Sequence, residues 1–134
     1  MRTPENIVRD FGRAWEARDP DAIIAALTED IVYENVPIPA MRGHEEVRRF
    51  ITPNLKKSSA IKFDFLCVAI AANGAVLTER IDTFYFGDKS VAVPLMGIFE
   101  LRGEKIARWR DYADIGSFVR QMQAIGQAPG PGIV

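Results

Sequence analysis

The stretch from Ala75 to Phe86 constrains the fold more than any other, because it reads as a strand that must bury charge. Successive side chains of a strand point to opposite faces, so Val76, Thr78, Arg80, Asp82, Phe84 and Phe86 share one face. Small and apolar residues predominate among them, which predicts that the face is buried. An arginine and an aspartate there need partners, since an unpaired buried charge is strongly destabilising. The pattern returns near the end of the chain, where alternation places Asp111 on the face of Ala107, Trp109 and Ala113. Two aspartates and one arginine on inward faces predict a site.

Local signals predict the remaining elements. Thr3, Pro4 and Glu5 open a helix with a capping hydroxyl, a first-turn proline and an acid near the positive end of the dipole. Ile7, Val8, Phe11, Ala14 and Trp15 then recur at helical spacing, and Asp19-Pro20 starts a second helix with Ile23, Ile24 and Leu27 inward. A short strand is expected from Ile31 to Val36, with Ile31, Tyr33 and Asn35 on one face, ended by Pro37-Ile38-Pro39. Arg42-Gly43 leads into a third helix disturbed at Pro53, and Lys56 to Ser59 read as a solvated loop. From Ile61 onward the pattern is β, with turns at Asn73-Gly74, Gly87-Asp88-Lys89 and Arg102-Gly103. A last helix, from about Gly116 to Ile125, turns Phe118, Val119 and Met122 inward and stops at Gly126.

Helices first and an antiparallel meander second is an α+β order. The expected architecture is a strongly curved, mostly antiparallel mixed sheet with helices packed on its concave face around a deep pocket. Residues 1–126 are expected to form one domain, and residues 127–134 a flexible tail without regular structure. A net charge of −1 offers no general attraction to nucleic acid or to an anionic membrane. The single histidine, His44, argues against a histidine-based metal site, and no metal or cofactor is expected. The single cysteine, Cys67, reads as an inert core thiol in an apolar strand. No long apolar run or signal-peptide pattern is present, so the expected location is the cytoplasm.

Counting back through the two short turns brings Asp82 and Asp111 roughly level, with Pro94 or Leu95 on the strand between them. Strands about 4.8 Å apart would leave the two aspartate backbones about 10 Å apart, room for a small reacting group and a water. Arg80 is long enough to reach both acids, and its planar fork suits the task. One carboxylate could take a proton from water while the other gives one to a leaving oxygen. Tyr33 and Asn35 add neutral groups able to hold that water. The same residues also fit a structural ion pair at Arg80–Asp82 and a surface acid at Asp111, and spacing alone does not choose.

Three short segments together resemble the limonene-1,2-epoxide hydrolase family: Tyr33-Glu34-Asn35-Val36-Pro37, Thr78-Glu79-Arg80-Ile81-Asp82 and Trp109-Arg110-Asp111-Tyr112. Gly97-Ile98-Phe99 and Gly103-Glu104-Lys105-Ile106 are also similar, and the likeness runs from about Asn6 to Phe118. The resemblance implies a cystatin-like or NTF2-like cone and a homodimer. It also implies that Asp111, with Tyr33 and Asn35, holds and deprotonates a water. Asp82 would then protonate the epoxide oxygen while Arg80 bridges the acids. Ring opening would proceed in one step, without a covalent intermediate or a metal. The chain begins closer to its first helix than some relatives do, which bears on the pocket wall and on substrate size.

Phe84, Val93, Leu95 and Phe118 lie on the candidate inner faces and suggest a small apolar epoxide, cyclic or terpene-like, as the partner of water. Glu79, Ile81, Thr83 and Tyr85, on the far face of the central strand, mix polar and apolar groups as a subunit interface does. Two rivals come from other classes. A ketosteroid-isomerase-like enzyme shuttles a proton with one carboxylate and has no clear use for an arginine between two acids. A non-catalytic pocket protein would not need all five polar residues.

Overall fold

Thr3 caps the first helix, α1 (Pro4–Glu16), its side chain accepting from the Asn6 N–H at 3.2 Å, with Pro4 opening the first turn. Asp19 does the same for α2 (Pro20–Ala25) through the N–H groups of Asp21 and Ala22. The chain then runs β1 (Leu27–Val36), β2 (Met41–Arg42), α3 (Gly43–Lys57), β3 (Ala60–Ile70), β4 (Val76–Phe86), β5 (Lys89–Arg102), β6 (Lys105–Ala113) and α4 (Ile115–Ala124). The structure, a computed structural model, describes residues 1–128. Of the tail expected over 127–134, the part from 129 onward lies outside the described residues.

The six strands form one sheet in the order β2-β1-β6-β5-β4-β3. The β3–β6 meander is antiparallel, and β1 joins β6 in parallel, which makes the sheet mixed. Gly74, Gly87 and Gly103 adopt φ of +87°, +68° and +64° in the turns, a region open to glycine without a steric penalty. All four helices pack on the inner face. Val8, Phe11 and Trp15 of α1, Ile23 and Ile24 of α2, and Val47, Ile51 and Leu55 of α3 share one core with Phe63, Val76, Phe99 and Trp109. Met122 of α4 closes a second, smaller cluster over Val91 and Val93. Among the described residues, no helix is long and apolar enough to cross a membrane.

Several local expectations are corrected. α3 runs through Pro53 to Lys57, so Lys56 and Lys57 belong to its last turn and not to a loop. Thr52 Oγ1 donates to the Arg48 carbonyl and Asn54 Nδ2 to the Phe50 carbonyl, side-chain bonds that flank the proline. Ser58, expected in solvent, is buried and donates its hydroxyl to the Asn54 carbonyl. β1 begins four residues earlier than expected, at Leu27, because pairing with β6 extends it. Cys67 is exposed: a register shift between Phe65 and Cys67 breaks the alternation of β3, and the strand's second half is mostly exposed. A further shift between Glu100 and Leu101 interrupts alternation in β6, so Ile106, and not Ala107, is buried on the side of Trp109.

Candidate active site

Residues paired across the sheet line up in rows on the inner face. Val76, Phe99, Trp109 and Tyr33 form one row, and Thr78, Gly97, Asp111 and Asn35 form the next. Arg80, Leu95 and Ala113 follow, then Phe63, Asp82 and Val93. Asp82 and Asp111 are therefore not level. Asp82 pairs with Val93 and Asp111 with Gly97, four residues apart along β5, an offset of roughly 13 Å at the usual strand rise. The two hairpins leave opposite ends of β5, so the length of that strand, together with the bulge in β6, sets the offset.

Arg80 closes the gap. It stands in the row between the two acids and is fully buried, with Asp82 and Asp111 at 4% and 5% exposure. Its Nε donates to Asp82 Oδ1 and its Nη2 to Asp82 Oδ2, both at 3.0 Å. Nη2 also donates to Asp111, at 3.2 Å to Oδ1 and 3.1 Å to Oδ2. Nη1 goes to Thr78 Oγ1 at 3.0 Å, and the rings of Phe63 and Phe99 lie 5.2 and 5.5 Å from the guanidinium carbon. Tyr33 and Asn35 meet beside Asp111, where Asn35 Nδ2 donates to Tyr33 Oη at 3.3 Å. All five predicted polar residues thus converge.

Burial dominates the electrostatics of the acids. It pushes Asp82 up from the ordinary 3.8 to about 6 against the opposing pull of Arg80, and it also raises Asp111 against Arg80 and the Trp109 N–H. For Arg80, burial disfavours the charge, but Asp111 and Asp82 outweigh it and hold its pKa above the ordinary value. Tyr33 is likewise raised by burial, so its hydroxyl keeps its proton. One guanidinium between two buried acids neutralises one of them. The other holds a proton readily, as an acid–base pair requires.

The acids open onto a pocket walled mainly by apolar side chains. Phe84, Val93, Leu95 and Phe118 all line it, joined by residues that the sequence had not pointed to as substrate contacts, among them Phe50, Phe63 and Met122. Sequence reasoning also missed three partners of the charged cluster. Trp109 Nε1 donates to Asp111 Oδ1 at 2.7 Å while its ring stacks on Tyr33, with centroids 4.1 Å apart. Its position two residues before Asp111 on the same face was the available signal. Thr78 stands in the same relation to Arg80. Gly97 stood only in a segment of family resemblance, and its role was not readable there, because what matters is the absence of a side chain.

Comparison with known proteins identifies the family. Residues 2–124 match the family described as limonene-1,2-epoxide hydrolase catalytic domain. The chain is 38% identical over 109 residues to epoxide hydrolase EphG of Mycobacterium tuberculosis, covering 81% of this chain and 71% of that protein. A solved M. tuberculosis LEH-like epoxide hydrolase superposes with a TM-score of 0.75 at 28% identity, covering 89% of this chain and 88% of the other. A protein of ketosteroid isomerase-like fold from Catenulispora acidiphila superposes at 0.76 over 96% of both chains; at 23% identity this likeness concerns the fold alone. The chain belongs to the limonene-1,2-epoxide hydrolase family and is an epoxide hydrolase, its catalytic domain spanning residues 2–124.

Proposed function

We propose that the chain adds water to a small apolar epoxide in one step, giving a vicinal diol by general acid–base catalysis. The observation that carries this reading is a single nitrogen, Arg80 Nη2, bonded at once to two buried carboxylates beside an apolar pocket. Asp111 accepts one proton of a water, Asn35 Oδ1 accepts the other, and the Tyr33 hydroxyl donates to the water oxygen. One lone pair then remains for attack. As the new C–O bond forms, the ring C–O bond breaks, Asp111 takes the water's proton and Asp82 gives its own to the ring oxygen. A proton passed from Asp111 back to Asp82 resets the site. Ring strain drives the opening, and neither a covalent enzyme intermediate nor a metal or cofactor enters.

Phe84, Val93, Leu95 and Phe118 are the proposed contacts for the body of the substrate, which favours a cyclic or terpene-like epoxide. The ketosteroid-isomerase-like alternative shares the fold but leaves the arginine and the second acid without a task. Copies of the chain pair, in this reading, through the outer sheet face, where Met96 and Tyr112 are half exposed beside Glu79 and Ile81. The cytoplasm is the proposed location.

A panel of epoxides assayed for diol, followed by single turnover in isotopically labelled water, tests the reaction. Label in the diol from the first turnover is expected. Unlabelled diol would mean that a protein carboxylate attacked first, and no diol from any epoxide would remove the activity.

A further inference from the structure

Arg80 reaches Asp111 across a lane that two neighbouring residues keep open and aimed. Thr78 on β4 pairs with Gly97 on β5, and Gly97 pairs with Asp111 on β6. A Cβ at Gly97 would lie 2.4 Å from both Arg80 Nη1 and Asp111 Oδ1, and 3.2 Å from Thr78 Oγ1. Any side chain at this position would therefore displace the guanidinium, the carboxylate or both. The backbone of Gly97 is not in the left-handed region, so it is space and not φ that requires glycine.

Thr78 supplies the aim. Its hydroxyl has one proton, which goes to the Gly97 carbonyl at 3.0 Å. Its oxygen therefore meets Arg80 Nη1 as an acceptor, also at 3.0 Å, in a position 1% exposed. With Nη1 held on the Thr78 side, Nη2 alone remains to span Asp82 and Asp111. We propose that Thr78 and Gly97 are positioning residues that set the rotation of the Arg80 guanidinium, and with it the division of its N–H donors between the two acids. Asp82 receives two donors, from Nε and Nη2, and Asp111 only a share of Nη2. The consequence is chemical. A further donor on Asp111, beside Nη2 and the Trp109 N–H, would stabilise its carboxylate and make it a poorer base. The inference rests on the acid–base reading above.

Thr78→Val keeps the β-branched shape and removes the hydroxyl. The expected result is a fall in kcat for diol formation of about ten- to a hundredfold, with KM within about twofold, since the pocket walls are untouched. The acid limb of the kcat profile should move to lower pH, as Nη1 swings toward Asp111 and lowers the pKa of the base. Thr78→Ser, which restores donor and acceptor, should return kcat to within about threefold of the parent. A merely structural role would cost stability and leave the acid limb in place.

If Thr78→Val does not fold, Thr78→Cys, with a weakly accepting thiol, is compared with Thr78→Ser in the same way. A crystal structure of the variant lacking the hydroxyl should show Nη1 turned toward Asp111, and an unmoved guanidinium would overturn the proposal. Asp111→Asn run alongside separates the two levels of the argument. Full activity in Asp111→Asn would remove the acid–base reading itself. An inactive Asp111→Asn beside an unchanged rate and pH profile for the Thr78 variants would remove the positioning role alone.

Discussion

Replacing Arg80 by methionine takes the cation from between two buried acids while leaving a long side chain to fill its place. Five donor contacts disappear at once: Nε and Nη2 to Asp82, Nη2 to each oxygen of Asp111, and Nη1 to Thr78. Breaking a buried ion pair by removing one partner costs about 3–5 kcal/mol, because the remaining charge is left uncompensated. The cost should depend on pH, with a definite sign. Asp82 already sits at about 6, raised by burial against the lowering effect of Arg80, and Asp111 is raised for the same reason. Without Arg80 both rise further. A carboxyl whose folded pKa exceeds its unfolded value stabilises the fold below the unfolded pKa, and that contribution is lost as pH rises through the folded pKa. The variant should therefore trail the parent by about 3–5 kcal/mol near pH 8, and by less near pH 5, where Asp82 is largely protonated. Urea unfolding followed by the fluorescence of the buried Trp15 and Trp109 measures this. A variant within about 1 kcal/mol of the parent near pH 8, or a deficit that does not change with pH, would refute the reasoning.

Asp82→Asn and Asp111→Asn should each lower diol formation by about 10²–10⁴-fold without loss of the folded state by circular dichroism, and full activity in either would remove that residue from its role. Tyr33→Phe should cost less, because Asn35 and Asp111 still hold the water; a loss equal to that of Asp111→Asn would contradict this. Trp109→Phe preserves an aromatic ring against Tyr33 but deletes the 2.7 Å bond to Asp111. Its kcat should fall by roughly tenfold with a stability change of about 1–2 kcal/mol, and an unaltered kcat would show that the indole N–H does not orient the base. Sedimentation at micromolar concentration should give twice the 15.0 kDa chain mass, and a purely monomeric boundary would rule out pairing through the outer sheet face.

Much of this molecule was legible in the order of its residues. Helix starts at Thr3-Pro4 and Asp19-Pro20 were readable because a capping side chain bonds N–H groups only two or three positions away. The strands of the meander were readable because alternation and glycine turns are local as well. Arg80 and Asp82 declared themselves as a pair for the same reason, being two positions apart on one strand.

What depended on register was not legible. The four-residue offset of Asp82 and Asp111 follows from the length of β5 and the bulge in β6, which are settled by how three strands pair. The exposure of Cys67 follows from a bulge that nothing in its neighbourhood announces. Ser58 is buried because α3 continues through Pro53. Gly97 shows the limit most clearly. Its importance is an empty volume, bounded by Arg80 from one neighbouring strand and Asp111 from the other. A chain can encode which side chains are present at each position. Which space must stay vacant is decided only when distant strands have been brought side by side.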